Sequence, residues 1–353
     1  MPIENPERLI DFVRTIIFKR SRVHQVEHRD NYVLVLKACL QDYITFIQQH
    51  LQDDRHVNSC VDLSKQLVDL LNTSLNGLQS SAYSKLKEIL YALTEDGLFC
   101  EHDEDTFLYR MRVCDLRRDI TRKDLFHIPF NLIRKVETQR YSTPGLPCLY
   151  LARSIYCCWE EMHRPSIENT LVSIFKAESN FDLVDLRIPD LTRFQLFEDW
   201  YLKAFPLIIA CAIPVVHESS PFKPEYIIPQ FVLQWTIESS GENNVIGVTY
   251  TSTFSTEEFF CLDYEWENIV LPVAEISSGS NYCKKLGKLF KLSKPTCYEY
   301  EVMTGNMANT GVWDNGPSRV SKNNPKNDYY FSVFSRMEEE LEKRELDYIY
   351  NTL

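Results

Sequence analysis

The chain has 353 residues, 44% of them hydrophobic, and is long enough to bury a core and to form two domains. Its 38 basic and 50 acidic residues give a formal net charge of −12, which opposes nonspecific binding to nucleic acid. The ten glycines form neither a G-x-G-x-x-G pattern nor a P-loop. This disfavours a Rossmann dehydrogenase and an ATPase of the P-loop kind. No run approaches 18 uncharged apolar residues, so no transmembrane span is expected.

Cysteine usage indicates the compartment. The eleven cysteines include no C-x-x-C pair, and no signal peptide is recognisable. A disulfide framework and a Cys-rich zinc site are therefore not expected. We interpret the cysteines as buried thiols of a cytoplasmic protein.

The first hundred residues are predicted to be helical. Apolar residues recur at helical spacing in four segments, 4–18, 32–51, 59–75 and 81–93. Four amphipathic helices of this length predict a small bundle, and we place an N-terminal helical domain at residues 1–100.

A short metal-binding pattern lies inside this region. His24-Gln25-Val26-Glu27-His28 is an H-x-x-E-H sequence, in which two histidines four apart on a helix can bind Zn²⁺ beside a general base. Arg20, Arg22 and Arg29 surround it with positive charge, and no downstream motif supplies a third ligand. A charged helix end is the favoured interpretation, and no metal is expected.

The composition changes after Gly97. Strand-like segments at 107–113, 207–213 and 269–273 alternate with helical segments, which predicts an α+β domain at residues 101–309. Residues 310–328 are polar and rich in Asn, Gly and Pro, which is typical of a loop. A last helix follows, with Phe334, Met337 and Leu341 on one face. We group 310–353 as a loop and C-terminal helix.

The most informative stretch is QRYSTPGLPCLYLARSIYCCWEE, residues 139–161. Ser142 to Pro147 is turn-rich, and residues 148–152 are predicted to form a short buried strand. Ser154 is a good helix N-cap, so residues 155–162 can continue as a helix. The expected module is turn, strand, helix.

Three side chains of this module have the chemistry to hold and break a nucleotide glycosidic bond. Arg140, Tyr150 and Glu161 are separated by ten and eleven residues. A carboxylate such as Glu161 can stabilise an oxocarbenium-like sugar. An arginine binds a pyrophosphate bidentately, with Arg140 as first choice and Arg110 as second. Tyr150 can hold a cationic ring by stacking. Glu160 stays open as an alternative to Glu161.

The same residues carry a resemblance to a known family. The stretch resembles the RES domain, whose core pattern is an Arg, a Pro-Gly turn, a Tyr-Leu-Ala strand and a helix with Glu. The positions that match this core pattern are Arg140, Pro144-Gly145, Tyr150-Leu151-Ala152 and Glu161. The opening strand of the family is matched by Leu108-Tyr109-Arg110. Its later segments are matched by Tyr226-Ile227-Ile228-Pro229-Gln230 and by Gly247-Val248-Thr249-Tyr250, up to Ser252. The resemblance covers about residues 105–300.

The resemblance implies a fold related to ADP-ribosyltransferases that binds NAD and either degrades it or transfers its ADP-ribose. Glu161, Tyr150 and Arg140 would be catalytic, and Arg110, Arg140, Tyr150 and Ser252 would contact NAD. It also implies a bacterial toxin with a helix-turn-helix, Xre-like antitoxin as partner. Homo-oligomerisation is a further candidate interaction; neither nucleic acid nor a membrane is an expected partner.

Two alternatives to an NAD glycohydrolase or phosphorylase stay open. One is a protein ADP-ribosyltransferase, because water, phosphate and a side chain all attack the same sugar carbon. The other is a non-catalytic interaction protein, in which the helical region binds the partner.

Two more features have structural interpretations. We interpret His127 as a hydrogen-bonded core histidine, and the lysines between Lys284 and Lys294 as a solvated face with leucines turned inward.

Overall fold

The computed structural model describes residues 5–20, 31–51, 53–94, 97–113, 120–239, 245–254, 266–273, 280–305, 329–330 and 332–350. Their α-helices are α1 Pro6–Thr15, α2 Tyr32–His50, α3 Asp54–Leu75, α4 Gln79–Thr94, α5 Ile155–Glu161, α6 Leu191–Leu196, α7 Glu198–Ala212, α8 Ile227–Ser239, α9 Lys284–Leu289, α10 Tyr298–Met303 and α11 Val333–Glu342. Their strands are β1 Phe99–His102, β2 Leu108–Val113, β3 Cys148–Ala152, β4 Thr170–Ala177, β5 Phe181–Leu186, β6 Val245–Thr251, β7 Glu267–Pro272 and β8 Phe290–Leu292. The predicted α+β class with an N-terminal helical region is confirmed.

The chain forms two compact units that interleave along the sequence. The first comprises Met1–Cys100, Thr138–Thr143 and Leu183–Thr253, and the second comprises Glu101–Glu137, Pro144–Asp182 and Phe254–Leu353. These units are defined by which residues contact one another, and they do not test where functional domains begin and end. The functional domains placed at 1–100, 101–309 and 310–353 stay a prediction.

The core of the first unit is a helical bundle. Helix α3 packs against α2, α4, α7 and α8. The Tyr43 hydroxyl and the Cys60 thiol both donate to the carbonyl oxygen of Leu202, at 2.8 and 3.0 Å. Burial raises the pKa of Cys60 to about 12, so it stays a thiol. Two side chains therefore fasten α2 and α3 to α7.

One strand prediction in this unit is wrong. The sequence predicts a strand at residues 207–213, but residues 207–212 form the end of α7 and Ile213 is its C-cap. Every residue from Ala204 to Ala212 is buried. A helix that is buried all round shows a continuous apolar run without a 3.6-residue period, and such a run cannot be distinguished from a buried strand.

The second unit contains an antiparallel sheet with the order β7-β3-β2-β4-β8. One face of this sheet is covered by α5 and α11, whose apolar residues join Tyr109, Met111 and Ile174 in one core. Phe334, Met337 and Leu341 are all buried, so the predicted apolar face of the C-terminal helix is confirmed. The 310–328 loop prediction lies outside the described residues.

The lysine-rich segment follows its structural interpretation. It forms α9 and β8, with Leu286 and Leu292 buried. Lys291 pairs with Glu178 at 2.8 Å. The lysines lie on the outside because a sheet edge or helix that buries leucines on one side leaves its other side to solvent.

Candidate functional site

The turn, strand and helix predicted for residues 142–162 are confirmed. Gly145 has a φ of 85°, a left-handed conformation that favours glycine, and its N–H donates to the carbonyl of Val136. Strand β3 follows, and the Ser154 hydroxyl then accepts from the N–H of Cys157 at 3.0 Å, which caps α5. Glu161 is the last residue of this helix.

The two adjacent acids at the end of α5 have different surroundings. Glu160 is only 4% exposed, and its Oε2 accepts from Arg164 Nε at 2.8 Å. Burial and the Glu160 carboxylate raise the pKa of Tyr156. Glu161 is half-buried, and its Oε1 accepts from Asn268 Nδ2 at 2.5 Å. Glu160 Oε1 has no hydrogen-bond partner among the described residues. Glu160 is therefore buried with one oxygen paired, whereas Glu161 is the acid with access to solvent, and the choice of Glu161 over Glu160 stays a prediction.

Asn268 is a residue that sequence reasoning missed. It is 4% exposed in β7, where it lies opposite Ala152 of β3. Its Oδ1 accepts from the Cys157 thiol at 3.4 Å, so its amide contacts two residues of α5. The sequence signal that could have identified Asn268 is a single amide side chain in the apolar strand ENIVLP. A buried polar side chain in a central strand needs a hydrogen-bond partner, so such an amide indicates a specific contact.

Arg110 lies beside Tyr150. Strands β2 and β3 pair at Tyr109 and Ala152, and Arg110 Nη1 then donates to the carbonyl oxygen of Tyr150 at 2.6 Å. Burial, reinforced by Arg112, lowers the Arg110 pKa to about 10. Its buried Nε has no hydrogen-bond partner among the described residues. Arg110 thus keeps a donor for which the described chain supplies no acceptor.

Arg110 and Glu161 both influence the pKa of the Cys158 thiol. Burial raises the pKa of Cys158 to about 12; Arg110 lowers it, and Glu338 and Glu161 raise it. The second unit contains Arg110, the strand carrying Tyr150, and Glu161.

Arg140 lies in the first unit and is 8% exposed. Its Nη1 donates to the carbonyl oxygens of Cys211 at 2.8 Å and Ile213 at 3.1 Å, at the C-terminal end of α7. Its guanidinium also lies 5.3 Å from the ring centre of Tyr226. A cation at the end of a helix satisfies carbonyls that have no partner within the helix. These contacts stabilise the fold, whatever else Arg140 contacts.

Two further family-matched segments lie near Arg140. Gln230, in α8, donates from Nε2 to Thr138 Oγ1 at 3.0 Å and to the Gln139 carbonyl at 2.9 Å. Ser252 directly follows β6 and is fully buried, and its neighbour Thr253 accepts from Arg140 Nη2 at 3.4 Å. The role of Ser252 toward substrate stays a prediction.

His127 is a hydrogen-bonded core histidine, as interpreted from sequence. It is fully buried; Nε2 accepts from the N–H of Cys283 at 2.8 Å, so Nδ1 carries the proton that it donates to the Ile128 carbonyl at 2.8 Å. Burial lowers its pKa to about 4, with a smaller contribution from Arg110. Both ring nitrogens are engaged in the fold.

We expect His127 to make stability depend on pH. The unfolded chain binds this proton near pH 6.5, but the folded protein binds it only near pH 4, so stability is full above pH 6.5 and falls as the pH drops toward 4. The loss is at most about 3 kcal/mol. Urea midpoints measured between pH 7.5 and 4.5 should fall less steeply for His127→Gln. The exposed His217→Gln should keep the wild-type slope, and an unchanged slope in His127→Gln contradicts the assignment.

Within the described ranges, no group of three His, Cys, Asp or Glu residues could hold a metal ion. The H-x-x-E-H sequence at 24–28 lies outside those ranges. Among the helices that the structure describes, none combines the length and apolar character needed to cross a membrane.

Comparison with known proteins yields one informative similarity. The chain is 28% identical over 274 residues to a protein of Bacillus subtilis (strain 168) named "Putative toxin YopC". The match covers 70% of this chain and 60% of that protein, so the chain spans less than two thirds of its relative. No family model matches, and no solved structure matches.

Proposed function

We propose that this protein is a RES-type enzyme that degrades NAD by cleaving the bond between nicotinamide and ribose. The observation that carries the proposal is that Arg110, Tyr150 and Glu161 belong to one compact unit, in which Arg110 donates to the Tyr150 carbonyl and Glu161 is half-buried at the end of α5. A cation, an aromatic ring and a half-buried carboxylate are the groups that this reaction needs. The spacing of Arg140, Tyr150 and Glu161 along the chain supports the same reaction.

Each residue has a chemical role in this proposal. Glu161 stabilises the positive charge that develops on the ribose as nicotinamide leaves. Tyr150 stacks on the nicotinamide ring, which is cationic before cleavage. The pyrophosphate needs a local cation because the net charge of −12 repels an anionic substrate. Arg110, the second-choice arginine of the sequence analysis, is the cation that this unit offers.

We also propose that the protein acts as a toxin. The name of the Bacillus relative supports this role, and loss of NAD would stop growth. An enzyme of this kind needs an inhibitor in the cell that makes it. A helix-turn-helix antitoxin is the partner that the family resemblance implies.

The decisive experiment is NAD consumption by the purified full chain, with and without inorganic phosphate, following the products by mass. We expect free nicotinamide, together with ADP-ribose from hydrolysis or ADP-ribose-1″-phosphate from phosphorolysis. Labelled ADP-ribose on a protein acceptor would instead identify a transferase. Intact NAD in all three assays, including one with cell lysate as acceptor, contradicts the proposal.

A further inference from the structure

We propose that Asn268 is a positioning residue that orients the Glu161 carboxylate and keeps it ionised for catalysis. This inference rests on the proposed function, because it assigns Glu161 the charge-stabilising role. Asn268 itself does not touch the substrate in this proposal. It acts through Glu161.

The hydrogen bonds determine which way the Asn268 amide points. An ionised carboxylate only accepts, so the group that faces Glu161 Oε1 at 2.5 Å must be the Nδ2 amine. The Oδ1 oxygen then accepts from the Cys157 thiol at 3.4 Å. Cys157 and Glu161 are four residues apart and share one face of α5. Asn268 therefore connects that helix face to β7 through both ends of its amide.

Burial makes this connection rigid and costly to lose. Asn268 is 4% exposed and lies in a strand paired along its length with β3. A buried amide without its acceptor carries a desolvation penalty, so the Nδ2 group favours the ionised form of Glu161. The carboxylate thus stays charged and keeps one orientation.

Other charged and titratable groups lie around Glu161, and any pH effect must be measured against them. They are Glu160 and Cys158 on α5, Arg164 paired with Glu160 just after α5, Glu267 beside Asn268 on β7, and Arg110 on β2 and Glu338 on α11, which both act on Cys158. Arg110 and Arg164 are the cations among them. Asn268 donates a hydrogen bond directly to Glu161, and this direct contact distinguishes its effect from that of the surrounding charges.

The test compares Asn268→Ala and Asn268→Asp with wild type. We expect kcat for NAD cleavage to fall about 10-fold in the first and 100-fold or more in the second, as when a catalytic charge loses a preorganised partner. KM should change less than about threefold, since binding contacts remain. The acid limb of the pH–rate profile should move to higher pH in both. The exposed Asn281→Asp is the matched control, and we expect wild-type behaviour.

A second measurement does not depend on turnover. Glutamate labelled with ¹³C at the side-chain carboxyl reports each titration, and Glu161→Gln identifies the Glu161 signal. We expect its titration midpoint to rise from wild type to Asn268→Ala to Asn268→Asp, because a donor is lost and then a like charge is added. Equal midpoints in all three, or unchanged kcat in Asn268→Asp, overturn the inference. If wild type leaves NAD intact but the midpoints follow this order, the proposed function fails and the control of Glu161 by Asn268 stands.

Discussion

Replacing Glu161 with Gln is expected to lower the rate of NAD cleavage by about 10³-fold or more, because the amide cannot stabilise the charge on the ribose. The fold should persist, since Glu161 is half-buried and an amide can still bond to Asn268. The measurement is kcat/KM for nicotinamide release, with circular dichroism and urea unfolding to check the fold.

Two matched variants make this result specific. Glu168→Gln changes an exposed acid of the same unit and should leave the rate unchanged. Glu160→Gln removes the charge that pairs with Arg164, so we expect a loss of stability with most of the activity retained. If Glu160→Gln abolishes cleavage in a folded protein while Glu161→Gln does not, the carboxylate has been assigned to the wrong neighbour.

Replacing Arg140 with Ala is expected to lower the free energy of unfolding by about 2–4 kcal/mol, because the buried carbonyls of Cys211 and Ile213 lose their donor. The loss should appear as a lower urea midpoint. Arg55→Ala removes an arginine whose side chain is 90% exposed and should leave the urea midpoint close to that of wild type.

A stability loss in Arg140→Ala would make its activity harder to attribute to substrate binding. Lost activity in Arg140→Ala could follow from the altered end of α7, whereas Arg110 retains an unbonded Nε–H. A folded Arg140→Ala with wild-type stability contradicts the structural role described here. The comparison with Arg110→Ala, in which we expect a higher KM for NAD, then separates the two arginines.

The module that carries Glu161 could be predicted because its signals are local. Ser154 caps a helix through its own side chain, and Gly145 permits a turn that other residues resist. Such preferences act over a few residues, so they can be recognised in sequence. The end of α7 at 207–212 is predicted as a strand, because its apolar run reflects burial in the bundle and not a backbone preference.

Some features of the fold and the candidate site likewise follow from local sequence, and others depend on tertiary contacts. Sequence by itself determined the α+β class, the helical N-terminal region, the strand of Tyr150 and the helix that ends at Glu161. Only the tertiary structure decided that Asn268 contacts Glu161 from 107 residues away, that Arg110 bonds to the Tyr150 carbonyl, and that Arg140 binds the end of α7. Local propensity is encoded by neighbouring residues, whereas these contacts depend on which buried donors and acceptors meet when distant strands and helices pack together.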